Sequence, residues 1–157
     1  MPEGSYELVW TPDGYTARIS ARGAAVLAAP AINRGTAFTL EQRRELGLTG
    51  LLPSGVSTLD SQLRRTYAQF CAQGTSLSKW VYLTNLRSRN DVLFYKLLSE
   101  HIEEMLPIVY TPTVGLAIER FSHEFRRPRG AVYLSVDHPE EVETALCNTG
   151  LGGDDVD

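Results

Sequence analysis

Two cysteines and three histidines in 157 residues leave little from which to build a disulfide frame or a metal cluster. Cys71 and Cys147 stand far apart with no C-x-x-C spacing. That excludes a small disulfide scaffold and suits a reducing compartment, and both thiols are expected to be buried as small hydrophobes. His101, His123 and His138 show no H-x-x-x-H spacing, so the expectation is no metal held by this chain alone. No apolar run approaches the roughly 18 residues that a membrane helix needs, and residues 24–32 are short, alanine-rich and interrupted by Pro30. The first residues are mixed polar and acidic, unlike a basic-then-apolar secretory signal, so the expected location is cytoplasmic. Positive charge is also short: 15 Lys and Arg against 19 Asp and Glu give a net charge of -4. Such a chain has no general field to gather phosphate backbones, which excludes nucleic acid as the expected partner.

What is present is ordinary globular text. Apolar residues make up 43% and charged residues 22%, enough for one packed domain with an overhang. The first 32 residues lack a helical period. They read as an extended arm with strand-like stretches at 7–10 and 15–20 around an Asp13-Gly14 turn, packed against something else. At Thr39 the text changes to capped helices. Thr39 and Gln42 form a capping-box pattern, and Gly47 is a natural stop.

Between residues 57 and 72, Leu59, Leu63, Tyr67, Phe70 and Cys71 recur at three- and four-residue steps, predicting one buried helical face. A second helix is expected over 77–86 on Leu77, Trp80, Val81 and Thr84. A third is expected over 91–106, lined by Leu93, Phe94, Leu97, Leu98, Ile102 and Met105 and closed by Pro107. Thr111-Pro112 is expected to open the next helix, with Val114, Ile118, Phe121 and Phe125 as its buried stripe. After the basic break Arg126-Arg127-Pro128-Arg129-Gly130, residues 131–136 read as a buried strand, and Asp137-His138-Pro139-Glu140-Glu141 starts a last helix. The predicted class is a mainly α N-terminal helical domain followed by the first strand and helix of a truncated α/β domain. The expected divisions are an extended arm over 1–32, a helical domain over 33–129, and the truncated start of an α/β domain over 130–157.

Few residues offer chemistry. Gly150-Leu151-Gly152-Gly153 follows a helix and meets Asp154 and Asp155, so it does not read as a phosphate loop. Arg120, Arg126, Arg127 and Arg129 fit a helix C-terminus at least as well as an anion site. Glu103-Glu104 reads as a solvated helix face. Tyr110 differs, because it ends an apolar strand-like stretch immediately before a helix start. From physics alone a buried phenol with one hydrogen-bond partner is the favoured reading there. The other is a hydroxyl facing a cleft where helix N–H groups attract anions.

The run Tyr110-Thr111-Pro112-Thr113-Val114-Gly115 resembles the signature of the malic enzymes. It has company in family order: Asn33-Arg34-Gly35-Thr36-Ala37-Phe38-Thr39, then Leu46-Gly47-Leu48-Thr49-Gly50-Leu51-Leu52-Pro53, Arg89-Asn90-Asp91 before Leu93-Phe94-Tyr95, and Phe125-Arg126-Arg127-Pro128-Arg129-Gly130. The resemblance covers the chain from about residue 24 onward. It implies oxidative decarboxylation of L-malate to pyruvate and CO2 with NAD or NADP and Mn or Mg, in a homo-oligomer. It implies Tyr110 as the proton donor to the enolate. The family's lysine, substrate arginine, metal ligands and dinucleotide domain match nothing here, so this chain is expected to be inactive alone and to bind no cofactor alone. A complementary downstream segment is the expected partner. Gln62, Arg65 and Arg89 match the positions at which animal members bind a dicarboxylate activator. The alternative is a non-catalytic dimerisation or dicarboxylate-binding module.

Overall fold

The computed structural model describes residues 6–12, 14–123 and 132–150, and the side chains of all but Leu8 and Tyr15 among them. The chain divides into two units, Met1–Glu124 and Phe125–Asp157. In the first, strands β1 (Tyr6–Thr11) and β2 (Gly14–Ile19) pair antiparallel, with Tyr6 opposite Ile19 and Thr11 opposite Gly14. Gly14 has φ +116, which supplies the turn the sequence placed there. The hairpin rests through Tyr6 and Ile19 on a small cluster of Val26, Ile32, Phe38 and Leu48. Helices α1 (Ala24–Ala28) and α2 (Leu40–Glu45) frame that cluster. The Thr39–Gln42 capping box forms in full, and Gly47 follows α2 with φ +69.

The main core is built by α3 (Leu59–Cys71), α4 (Ser76–Arg89), α5 (Asp91–Glu100) and α6 (Ile102–Val109). It gathers Leu63 and Phe70 from α3, Leu83 and Leu86 from α4, Leu93, Phe94 and Leu97 from α5, and Met105 and Ile108 from α6. Each such side chain, fully buried, contributes on the order of 1.5–3 kcal/mol. The buried face of α4 is therefore Leu77, Leu83 and Leu86, rather than one centred on Val81 and Thr84.

The apolar spacing predicts one long helix over 91–106. The structure breaks it at His101, whose φ -129 and ψ 36 leave the helical region. The break resets the phase of α6, so Ile102 turns outward while Met105 stays in the core. Nor does Pro107 close the helix, since it lies inside α6, which continues to Val109. The strand-like stretch before Tyr110 is thus helical.

Helix α7 (Thr113–Glu119) is shorter than its apolar text suggests. It buries Thr113 and Ala117, leaving Ile118 and Phe121 exposed, while Phe125 lies outside the described residues. A short helix has too few turns to carry the four-residue stripe that the spacing suggests. In the second unit, residues 132–135 join no described sheet. A 3-10 turn at Pro139–Glu141 leads into α8 (Val142–Cys147). Strand backbone groups need a neighbouring strand to form a ladder. Both cysteines are exposed, against expectation, because each is the final residue of its helix, where the packed stripe has run out.

Candidate functional site

Tyr110 stands at the joint between α6 and α7. Its N–H donates to the Leu106 carbonyl at 2.9 Å, and its own carbonyl accepts from the Val114 N–H at 3.0 Å. The buried Thr113 hydroxyl donates back to the Pro107 carbonyl at 2.8 Å. The Thr111–Pro112 peptide is cis, and Pro112 rather than Thr111 is the N-cap of α7, with no side-chain cap bond. The backbone at Tyr110 is thus held from both sides while its side chain is 66% exposed. The buried-phenol reading fails. The anion reading also weakens, because the Val114 N–H is already given to Tyr110 and Pro112 has none to offer.

Three of the family-like stretches, 33–39, 46–53 and 89–91, meet through hydrogen bonds. Asn33 donates its amide to the Leu27 carbonyl at 3.0 Å and to the Arg89 carbonyl at 3.1 Å, and accepts from the Gly35 N–H at 2.8 Å. Gly35 has φ +52, and a side chain there would meet Gln62. Gln62 is buried and donates to the Arg34 carbonyl at 3.1 Å. Asn90 caps α5 through Leu93 at 2.8 Å. Arg43, 5% exposed, donates to four carbonyls, those of Phe38, Pro53, Thr36 and Gly55, at 2.7–3.1 Å. Sequence reading misses Arg43 and Asn33, since neither stands out by spacing. The only signal is their place within or beside family-like text.

Gln62, Arg65 and Arg89 are held differently. Gln62 is buried and spent on Arg34, whereas Arg65 and Arg89 are exposed and their charges act on the half-buried Tyr82 phenol. Burial raises the Tyr82 pKa, opposed by a hydrogen bond with Thr66 and by the charges of Arg89 and Arg65. The Arg89 Nε also donates to the Asn85 carbonyl at 3.1 Å.

A second cluster joins α3, α4 and α6. The Tyr67 ring stacks on His101 at 3.8 Å, and its hydroxyl donates to Glu104 at 2.9 Å. Lys79 reaches Glu104 at 3.7 Å and lies over the Phe70 ring. Glu103 and Glu104 are exposed, as a solvated helix face requires, and Glu104 also accepts the Tyr67 hydrogen bond. Its hydrogen bond, then that with the Cys71 thiol, push the Tyr67 pKa up to about 12. Because an unfolded phenol titrates near about 10, the folded chain holds this proton more tightly. The resulting stability is fully present below that value and is lost as pH rises toward the folded one. In an alkaline absorbance titration, Tyr67→Phe should remove one tyrosine from the latest step, and an unchanged late amplitude would contradict the assignment.

Of the arginine cluster, Arg120 caps the C-terminus of α7, while Arg126, Arg127 and Arg129 lie outside the described residues. His138 pairs with Glu140 at 3.3 Å on the surface. Among the described residues, no three His, Cys, Asp or Glu side chains come together as a metal donor set, and no helix is long and apolar enough to cross a membrane.

A family model described as malic enzyme, N-terminal domain, matches residues 87–157, which include Tyr110 and its motif. NAD-dependent malic enzyme 3 of Bacillus subtilis is 58% identical over 125 residues, which is 80% of this chain and 22% of the relative. The chain belongs to the malic enzyme family. NAD-dependent malic enzyme 2 of Vibrio vulnificus is 44% identical over 126 residues, 80% of this chain and 22% of the relative. Malolactic enzyme of Leuconostoc mesenteroides is also 44% identical, over 129 residues, 82% of this chain and 24% of the relative. This malic enzyme family chain thus spans less than a quarter of the length of the curated relatives it matches.

Proposed function

We propose that this chain serves as the N-terminal part of a malic enzyme that oxidatively decarboxylates L-malate to pyruvate and CO2 with NAD, to which it contributes Tyr110 as proton donor. The observation that supports this most is the exposed Tyr110 phenol, held on a backbone bonded from both sides, inside the stretch that the family model matches. A phenol hydroxyl is a proton donor that a strongly basic enolate carbon can use. The described residues do not fit a Mn or Mg site. In this reading the metal ligands, the proton-abstracting base and the dinucleotide cradle belong to the part of a malic enzyme that this chain does not span. The chain alone is inactive, works in the cytoplasm, and functions within a homo-oligomer together with that complementary part.

The test joins these residues to the remainder of the Bacillus subtilis relative, in place of its matching stretch. Malate-dependent NAD reduction with Mn is expected of the joined protein and not of the 157 residues alone. Turnover by the isolated chain, or a folded joined protein that makes no NADH, would count against the reading.

A second reading has its own observation. Arg65 and Arg89 are both exposed and the charges of both bear on the Tyr82 phenol, which suits a dicarboxylate through charge-assisted bonds. It predicts that fumarate raises the joined protein's activity and that Arg89→Gln removes the response. An equal response in that variant would end it.

A further inference from the structure

Among the described residues, two hydrogen bonds cross the joint between α6 and α7. One is backbone, donated by the Val114 N–H to the Tyr110 carbonyl at 3.0 Å. The other is donated by the Thr113 hydroxyl to the Pro107 carbonyl at 2.8 Å. Tyr110, with φ -130 and ψ -155, has already left the helical region, so the joint and not the turns of α6 sets where its side chain points. Tyr110, Thr111 and Pro112 are exposed, and between Ile108 and Ala117 the only buried residue is Thr113, at 4%.

Two features set the Thr113 bond apart. Pro107 has no N–H and removes one rung from a helix of two turns, and its carbonyl, an orphan of the helix end, receives no N–H from Thr111 four residues on. The Thr113 hydroxyl supplies that missing rung. A threonine at a helix start commonly spends its oxygen on its own first turn, yet α7 has no side-chain cap and Thr113 reaches six residues back instead.

We infer that Thr113 is a positioning residue for Tyr110: its hydroxyl locks the start of α7 to the last turn of α6 and so fixes the direction from which the phenol meets the enolate carbon. The inference rests on the proposed role of Tyr110 and deepens it. The phenol oxygen has no hydrogen bond of its own among the described residues, so its placement comes through the backbone beneath it.

The test uses the joined protein described above. Thr113→Val keeps the branched shape and replaces only the hydroxyl. Its kcat for malate-dependent NAD reduction is expected to fall by about ten- to 10²-fold with KM little changed, as misplacement of a reacting group by about 1 Å demands. Thr113→Ser, which keeps the oxygen, should retain most of the turnover, and Thr113→Ala should lose it. That pair differs by one hydroxyl and decides the matter if the valine variant does not fold. The sharper readout is Thr113→Val made in the Tyr110→Phe protein. A hydroxyl that acts through the phenol adds less than about twofold to the loss once the phenol is gone, whereas a merely structural one multiplies in full. Full multiplication, a serine variant as slow as alanine, or a valine variant as fast as the parent overturns the inference. A fast valine variant beside a slow Tyr110→Phe leaves the Tyr110 reading standing and removes only the positioning role. If Tyr110→Phe itself turns over like the parent, the Tyr110 reading falls and this inference falls with it.

Discussion

Tyr110→Phe should lower malate-dependent turnover of the joined protein by about 10²–10⁴-fold, the range over which a positioned acid or base contributes. The substitution removes one oxygen from a side chain that is 66% exposed, and the phenol has no hydrogen bond among the described residues. Stability should therefore stay within about 0.5 kcal/mol of the parent. The loss should fall on kcat with KM little changed, because a proton delivered to the enolate is spent after malate has bound. Pyruvate release and NADH formation measured together would locate the defect, since hydride transfer precedes protonation. A variant that turns over like its parent would show that another group, or water, supplies the proton.

Arg43→Ala should produce a large loss of stability, comparable to truncating a core side chain. The guanidinium is 5% exposed and holds four carbonyls from two stretches, 36–38 and 53–55. No ion pair to it is present among the described residues, so its charge is balanced by oriented carbonyl dipoles. Hydrogen bonds to a charged group contribute about 1.5–3 kcal/mol each, and acceptors left buried cost more than exposed ones. Relaxation of the surface loop will recover part of this, leaving an expected loss of about 3–5 kcal/mol. Arg43→Lys should recover little, because one ammonium on a flexible stem cannot serve four acceptors fixed in the plane of a guanidinium fork. Denaturant unfolding of both variants checks the claim. A loss below about 1 kcal/mol for alanine would mean that water satisfies the carbonyls unaided.

The helices are legible in the sequence because caps and periodicity are local properties. Thr39 with Gln42, Gly14 at the hairpin turn (Asp13 lies outside the described residues), and the α3 stripe of Leu59, Leu63, Tyr67 and Phe70, though not its last member Cys71, read correctly. Errors arise where tertiary packing overrides a local pattern. The apolar period runs unbroken through His101, yet stacking on Tyr67 accompanies a break there that no spacing announces. Pro107 reads as a stop, but an interior position is tolerable in a helix of only two turns. Ile118 and Phe121 match a stripe that α7 is too short to bury. The candidate site is legible only by resemblance. The motif singles out Tyr110, whereas its chemistry alone wrongly suggests burial. The convergence of Asn33, Gln62 and Arg89 is a fact of three dimensions, carried by backbone carbonyls that have no signature in a side-chain alphabet.

The Asn33 clasp on Arg89 has a kinetic meaning. It joins residues 56 apart in the chain, whereas the capping bonds of Thr39, Thr75 and Asn90 each span three. The entropy of closing a loop grows with its length, so short-range caps form before long-range contacts. The Asn33 clasp is therefore the contact at this corner expected to close after the local caps beside it.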